Sequence, residues 1–124
     1  LRAERVIVAE LAIEGLSAGR PTVPLGATPP RYPTVERDVA LVMPEHTPAG
    51  AVADAIDRHG GPLLRSRALF DVYRGRPLAD DEKGLAYRLA FRAEDRTLTE
   101  DAADAAVAEP VKGLARDLGA RLRT

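Results

Sequence analysis

Residues 84–92 read Gly-Leu-Ala-Tyr-Arg-Leu-Ala-Phe-Arg and contain the clearest two-residue alternation of the 124-residue chain. Every second position holds a large apolar or aromatic side chain. These side chains are Leu85, Tyr87, Leu89 and Phe91. Alternation with a period of two is typical of a β-strand with one face on a core and the other face open. We therefore predict a central strand whose open side carries Ala86, Arg88 and Arg92.

Segments on the N-terminal side of this strand predict two more strands and a helix. Residues 63–74 form a long β-type segment, and a polar connection over 75–83 joins it to the central strand. Earlier in the chain, residues 37–43 alternate as a strand. Within 47–61, a Thr-Pro pair opens a helix and a Gly-Gly pair stops it.

A second helix and a short last strand are predicted after the central strand. Thr97 or Thr99 caps the helix, and two acidic residues follow in its positively polarised first turn. We expect Pro110 to kink or split this helix. A short alternating segment, Ala-Arg-Leu-Arg, follows Gly119 and closes the chain.

From residue 37 onward the segments follow the order β-α-β-β-α-β. Two right-handed crossovers in this order give an α+β fold of the ferredoxin-like type, a four-stranded antiparallel sheet with two helices on one face. The residues predicted to be buried between sheet and helices are Val39, Leu41, Ile56, Phe70, Leu85, Leu89, Phe91 and Leu122. The other face of the sheet is left open, and function in such a fold usually lies on that face or at an edge.

The first third of the chain predicts a boundary between two domains. Residues 6–11 form a short β-type run, and residues 21–33 contain five prolines that indicate a stiff linker or a strap. We place the boundary near Glu36. Residues 1–36 then comprise the last strand of a preceding domain and the linker, and residues 37–124 form the ferredoxin-like domain. Because the first residue is Leu1 rather than Met, we expect a fragment of a longer protein.

Composition argues against catalysis and against a membrane span. No apolar run approaches the roughly 18 residues that a spanning helix needs, and with no cysteine in the chain we take the cytoplasm as the default location. The two serines and two histidines lie in no nucleophile or ligand motif, and no glycine-rich phosphate loop is present. The acidic run 80–82 is better explained as a solvated loop than as a cation site. We therefore predict no catalytic residue, no metal site and no cofactor in this fragment.

The open face of the predicted sheet points to a binding function. If Phe70 and Val72 face the core, the outward residues of their strand are Arg65, Arg67, Leu69, Asp71 and Tyr73. The outward residues of the first and last strands are Asp38, Ala40, Val42, Arg121 and Arg123. This surface has one aromatic ring with small neighbours and many arginines, as in domains that stack single-stranded RNA bases and hold the backbone with cations. A small-molecule regulatory domain or an oligomerisation sheet on the same fold remains an alternative.

The charge distribution is compatible with an RNA partner without requiring one. The net charge is −1, but residues 61–92 carry seven cations against four anions. Sixteen of the eighteen cations are arginine, which suits bidentate phosphate contacts and stacking on bases. A GC-rich coding sequence would explain the arginine content equally well.

Four motifs in this order give the chain a family likeness. Residues 32–42 contain Tyr-Pro, then Val35 and Arg-Asp-Val-Ala-Leu-Val, and residues 69–75 read Leu-Phe-Asp-Val-Tyr-Arg-Gly. Residues 83–99 begin with Lys-Gly-Leu-Ala-Tyr-Arg-Leu and end with Arg-Thr-Leu-Thr, and residues 119–123 read Gly-Ala-Arg-Leu-Arg. Together they resemble the ferredoxin-fold anticodon-binding domain of bacterial phenylalanyl-tRNA synthetase β subunits. Gly84 departs from the pattern, since the family usually has serine there.

The resemblance implies a domain that recognises an anticodon and performs no chemistry itself. The implied parent enzyme is an (αβ)₂ phenylalanine-tRNA ligase that uses ATP and Mg²⁺ in other parts of the assembly. The implied partners are the anticodon stem-loop of tRNA(Phe), the α subunit and a second αβ heterodimer. The residues expected to bind RNA are Asp38, Ala40, Asp71, Tyr73, Arg88, Arg121 and Arg123.

Overall fold

The computed structural model describes residues 6–17, 26 and 28–123. The helices are α1 (Ile13–Ser17), α2 (Ala49–His59) and α3 (Glu100–Leu118). The strands are β1 (Val35–Pro44), β2 (Leu64–Tyr73), β3 (Glu82–Phe91) and β4 (Arg121–Leu122). None of the described helices has the length and apolar character that crossing a membrane requires.

The predicted βαββαβ architecture is confirmed. The four strands form one sheet in the order β2-β3-β1-β4, and every neighbouring pair is antiparallel. Residues from α2 and α3 join residues from β1 and β3 in a single hydrophobic core. Both long helices therefore cover the same face of the sheet, and the opposite face is the open face of the molecule.

Strand β3 supplies the centre of the core, as its alternation predicts. Leu85, Tyr87, Leu89 and Phe91 are each at most 2% exposed. The Tyr87 hydroxyl donates to the Ala49 carbonyl at the start of α2 (2.9 Å), so its polar end is satisfied, and burial raises the pKa of Tyr87. Six of the eight predicted core residues are buried, namely Val39, Leu41, Ile56, Leu85, Leu89 and Phe91.

The prediction that Phe70 is a core residue is wrong. Strand β2 is interrupted by a β-bulge, because Leu69 pairs with Tyr87 while Asp71 pairs with the preceding residue, Ala86. Phe70 is the inserted residue, and its side chain is 54% exposed. A bulge changes which face the following residues occupy, so strict alternation cannot be read through it.

The predicted outward positions of Arg67 and Leu69 are wrong for the same reason. A second irregularity lies between Leu64 and Ser66, so the residues between the two follow the opposite phase. Arg67 consequently reaches α2, where Nε donates to the Ala53 carbonyl (3.0 Å) and Nη2 to Asp57 (2.7 Å). Leu69 pairs with the buried Tyr87 and shares its helix-facing side.

Two further burial predictions fail at the ends of the sheet. Leu122 pairs with the buried Leu41 but is 50% exposed, because β4 is only two residues long. Val42 pairs with Gly84 on the open face yet is 1% exposed. The buried Leu78, from the connection between β2 and β3, lies on this end of the open face, 3.5 Å from the position of a Cβ on Gly84. That connection therefore closes one end of the open face.

Helix α3 has the predicted N-cap and is not split. Of the two candidate threonines, Thr99 is the N-cap, and its side chain accepts a hydrogen bond from the Ala102 amide (3.2 Å). Gly119 ends the helix in the left-handed conformation at φ 64°, which glycine adopts readily. Pro110 lies inside a helix that continues through it and is buried in the packing.

The N-terminal segment differs from its prediction. Residues 6–11, expected to be a strand, have no regular secondary structure, and α1 follows them. Ile7 and Val8 are 93% and 87% exposed, and no described strand pairs with them. Much of the proline-rich linker, residues 18–25 and 27, lies outside the described residues. Strand β1 begins at Val35, two residues before the predicted start, and the division into two domains stays a prediction.

Candidate nucleic-acid interface

The open face is built from alternate positions of the central strands. Cross-strand pairing places Ala40 beside Ala86, and Asp71 on the other side of Ala86. In the next row, Tyr73 pairs with Gly84. Because paired residues point to the same side of a sheet, small residues in the two middle strands leave a low floor between the side chains of the outer strands.

A shallow depression occupies this part of the open face, and we call it the central depression. It is lined by Ala40, Leu41, Asp71, Tyr73, Gly84, Leu85, Ala86 and Arg123. The structure thus brings four of the seven predicted RNA-binding residues together, and these are Ala40, Asp71, Tyr73 and Arg123. They come from two strands, β1 and β2, and from the residue after β4, so only the folded sheet assembles them.

Tyr73 is held by one contact at its hydroxyl and a second over the face of its ring. Its hydroxyl donates to the Arg76 carbonyl just beyond the end of β2. The Arg123 guanidinium lies over the ring, 5.0 Å from its centroid, which is a cation–π arrangement. The hydroxyl is therefore committed to the protein, and the ring is the part of Tyr73 that can interact with a ligand by stacking.

Asp71 presents an uncommitted carboxylate to the central depression. The side chain is exposed, and its oxygens accept no hydrogen bond from any residue that the structure describes. An ionised carboxylate accepts hydrogen bonds only, so its natural partners are N–H donors such as those on the edges of bases. Asp71 and Tyr73 thus combine an acceptor with a flat stacking surface.

Asp38 and Arg88 are joined to each other across β1 and β3. Nε and Nη2 of Arg88 donate to the two carboxylate oxygens of Asp38 at 2.8 and 2.9 Å, a bidentate pair. Hydrogen bonding to Arg88 lowers the pKa of Asp38, and the same pair raises the pKa of Arg88. Neither residue lines the central depression, and two of the three guanidinium nitrogens of Arg88 are bonded to Asp38.

Arg121 is likewise engaged within the protein. Its Nη2 lies 2.9 Å from one Glu82 oxygen and 3.1 Å from the other. Hydrogen bonds from Arg121 and from the Ala79 amide lower the pKa of Glu82. This pair lies at the end of the sheet beside the β2–β3 connection, and it explains the acidic run 80–82 in part as a structural feature.

Comparison with known proteins identifies the fold family. The family model “Ferredoxin-fold anticodon binding domain” matches residues 30–123. The chain belongs to this family.

Three relatives illustrate the similarity. The phenylalanine–tRNA ligase β subunit of Moorella thermoacetica is 51% identical over 94 residues, which are 76% of this chain and 12% of that protein. The β subunit of Mycolicibacterium paratuberculosis is 47% identical over 107 residues, or 82% of this chain and 13% of its own. That of Symbiobacterium thermophilum is 42% identical over 124 residues, 97% of this chain and 13% of its own. The chain therefore spans about an eighth of the curated relatives it matches.

Two residues near the open face cannot be assigned to it from the sequence. Alternation along the strand predicts a buried Phe70, and the bulge that exposes this residue leaves no local signal in the sequence. Arg76 is one of the seven cations of residues 61–92, and no motif distinguishes it from the others. Its backbone carbonyl holds the Tyr73 hydroxyl, which places Arg76 next to the central depression.

Most arginines of the domain are paired with carboxylates. Among the described residues, those with no carboxylate within 4.0 Å are Arg31, Arg76, Arg92 and Arg123. One of them, Arg123, lies over the Tyr73 ring and lines the central depression, whereas Arg76 contacts Tyr73 only through its backbone carbonyl. Positive charge not already balanced by a neighbouring carboxylate is thus present at the central depression.

The described residues offer little for metal binding. Within residues 6–17, 26 and 28–123, no three histidine or carboxylate side chains converge as a metal site would require. His59, one of the two histidines, is engaged with Asp117 on α3, its Nε2 lying 2.7 Å from the carboxylate.

Proposed function

We propose that this chain is the anticodon-binding domain of a phenylalanine–tRNA ligase β subunit, and that its open face binds the anticodon loop of tRNA(Phe). The observation that carries the proposal is the central depression, where Tyr73, Asp71 and Arg123 meet above a floor of small side chains. Family membership supports tRNA as the partner, and the residues that line the central depression support this face as the place of binding.

Within the central depression, one anticodon base stacks on the Tyr73 ring. In the free domain Arg123 covers that ring, so the base takes the place of the guanidinium, which turns to a backbone phosphate. Stacking on an aromatic side chain is worth about 1–3 kcal/mol per base. The Asp71 carboxylate accepts hydrogen bonds from the edge of the same base, and Ala40 leaves room for the base to lie flat.

The remaining predicted residues act around this site. Nη1 of Arg88 donates to no described residue, so it is the donor left for a phosphate while Asp38 holds the rest of the group. Arg121 retains Nε and Nη1 for the same purpose at the end of the sheet. These contacts position the loop, whereas Asp71 and Tyr73 read it.

The rest of the proposal concerns the whole enzyme. The β subunit works with an α subunit and a second αβ heterodimer in a cytoplasmic (αβ)₂ enzyme. That enzyme attaches phenylalanine to its tRNA with ATP and Mg²⁺, and the present domain contributes recognition without chemistry or a cofactor of its own. Residues 37–124 form this domain, and residues 1–36 belong to the end of the preceding domain and the linker.

A titration with RNA tests the proposal. The chain is titrated into a fluorescein-labelled anticodon stem-loop of tRNA(Phe) and into an unrelated stem-loop, each at two salt concentrations. The proposal predicts tighter binding of the cognate loop at both salts and weaker binding of both loops at the higher salt. Equal affinity for the two loops would contradict it. Stabilisation of the chain by a free amino acid, with indifference to RNA, would favour a small-molecule regulatory domain instead.

A further inference from the structure

The bulge in β2 exposes an aromatic ring outside the central depression. Phe70 is 54% exposed and lies on the open face, where Arg88 also lies. The neighbouring apolar residues Leu69 and Val72 lie on the other face of the sheet. They pair with the buried residues Tyr87 and Leu85, whose side chains face the helices. Core packing therefore does not explain the position of Phe70.

Arg88 is held beside this ring. Its guanidinium carbon lies 5.4 Å from the centroid of Phe70, and its Nε and Nη2 are both bonded to Asp38. A guanidinium bonded through two nitrogens to one carboxylate has little freedom to rotate. Phe70, Arg88 and Asp38 thus form an ordered arrangement across three strands, with a flat apolar ring beside a fixed cation.

We propose that Phe70, with Arg88 held by Asp38, is a second base-stacking platform that takes a nucleotide of the same RNA loop as Tyr73. The inference rests on the proposed function, since it assigns the platform to the same partner. An aromatic ring beside a cation is the combination that single-stranded RNA binders use for successive bases. Arg88 accordingly supports the platform, with Nη1 directed to the phosphate of the nucleotide stacked there.

The separation of the two rings fits different nucleotides of one loop. Tyr73 pairs with Gly84, whereas Phe70 lies opposite the Ala86–Tyr87 step of β3. Two to three residues along a strand correspond to roughly 7–10 Å. One base therefore cannot stack on both rings, and two bases of a splayed loop can.

The second platform is tested by combining substitutions in the protein with abasic nucleotides in the RNA loop. Phe70→Ala, Phe70→Leu, Phe70→Tyr and Tyr73→Ala are each titrated, in the full 124-residue chain, against the synthetic tRNA(Phe) anticodon stem-loop and against loops with a single abasic nucleotide. Leu69→Ala is the matched control, since it removes a neighbouring side chain that is 40% exposed on the other face. Thermal melts establish that every variant is folded.

The expected pattern is specific. Phe70→Ala and Phe70→Leu weaken binding of the intact loop by roughly 5- to 100-fold, because neither retains a ring. Phe70→Tyr and Leu69→Ala bind as the wild type does. The loss caused by Phe70→Ala disappears at one abasic position, and the loss caused by Tyr73→Ala disappears at another.

Other outcomes separate the two proposals. If Tyr73→Ala weakens binding and Phe70→Ala does not, the second platform is overturned and the proposed function stands. If Phe70→Leu binds as well as wild type, or if the Phe70→Ala loss persists at every abasic position, Phe70 stacks on no base and contacts another surface. If the wild-type chain does not distinguish the cognate loop from an unrelated one, the proposed function fails together with the platform.

Discussion

Strands β2 and β3 have the same length and opposite characters. β3 pairs on both sides and buries its alternate residues in the core, whereas β2 is an edge strand with two irregularities and no fully buried residue. Edge strands tolerate bulges because only one side must keep a continuous ladder. Strand β3 therefore contributes most to the stability of the domain, whereas β2 provides aromatic and acidic side chains on the open face.

Replacing one helix-facing leucine in each strand should give the largest difference in stability between β3 and β2. Leu89 in β3 is 1% exposed and Leu69 in β2 is 40% exposed. Leu89→Ala should lower the free energy of unfolding by about 2–5 kcal/mol, because it leaves a cavity in the core. Leu69→Ala should lower it by less than about 1 kcal/mol. Chemical denaturation measures both, and a Leu89→Ala loss below about 0.5 kcal/mol would mean that the sheet faces the other way.

Sequence alone was sufficient where pairing is regular. The alternation of Leu85 to Phe91 predicted the central strand and its buried side, and the capping threonine with the two acidic residues after it predicted the start of α3. Among the site residues, the motif around Asp71 and Tyr73 was located correctly on the open face. These features depend on local patterns of a few residues.

Features that depend on distant pairing were not predictable. The bulge at Phe70 is set by the register against β3, so nothing in the strand's own sequence marks it. Asp38 and Arg88 are 50 residues apart, and their bidentate bond exists only because β1 and β3 are neighbours. The apolar run 6–11 looks like a strand but has no described partner, and a strand without a partner does not form.

Substitution of Tyr73 tests whether β2 contributes to RNA binding through stacking on its tyrosine ring. Tyr73→Ala should lose about 1–3 kcal/mol of binding free energy for the cognate stem-loop, whereas Tyr73→Phe should keep most of it, because stacking uses the ring. The hydroxyl is occupied by the Arg76 carbonyl, so its removal affects the protein rather than the RNA. Fluorescence titration of both variants provides the measurement. Equal and large losses for both would assign the binding to the hydroxyl rather than to stacking.

Each of the two strands has an ion pair that should make the stability of the fold depend on pH. Arg88 of β3 lowers the pKa of Asp38, and Arg74, which follows β2, lowers that of Glu45. A carboxyl whose folded pKa is below its ordinary value stabilises the fold above the ordinary pKa, and that stabilisation is lost as pH falls through the folded pKa. Stability should therefore decrease below about pH 4.

Replacing each carboxylate by its neutral amide isolates its contribution to the loss of stability at low pH. Denaturation at pH 7 and at pH 3 should show a smaller decrease for Asp38→Asn and for Glu45→Gln than for the wild type. Both groups are on the surface, so each change is small, and the wild-type decrease should diminish in high salt. A variant that loses as much stability as the wild type on acidification would show that its carboxyl is not coupled to folding.

Glycine substitutions give the smallest expected effect on the open face. A Cβ on Gly84 would meet its nearest neighbours, side-chain atoms of Leu78 and Tyr73, at 3.5 Å, which is an ordinary contact. Gly84→Ser should therefore change the free energy of unfolding by less than about 0.5 kcal/mol. In the helical core, a Cβ on Gly113 would lie 2.2 Å from the His59 ring, so Gly113→Ala should cost about 1–3 kcal/mol. Thermal melts compare the two, and a reversed order would contradict the packing described here.

Binding of the anticodon loop to the open face of the sheet can be tested by mapping the bound surface with NMR. Backbone amide signals of the isotope-labelled chain are followed during addition of the tRNA(Phe) anticodon stem-loop. The largest shifts should occur at Ala40, Asp71, Tyr73, Gly84 and Arg123, which line the central depression. Shifts confined to α2 and α3, with these five amides unchanged, would contradict binding at this face.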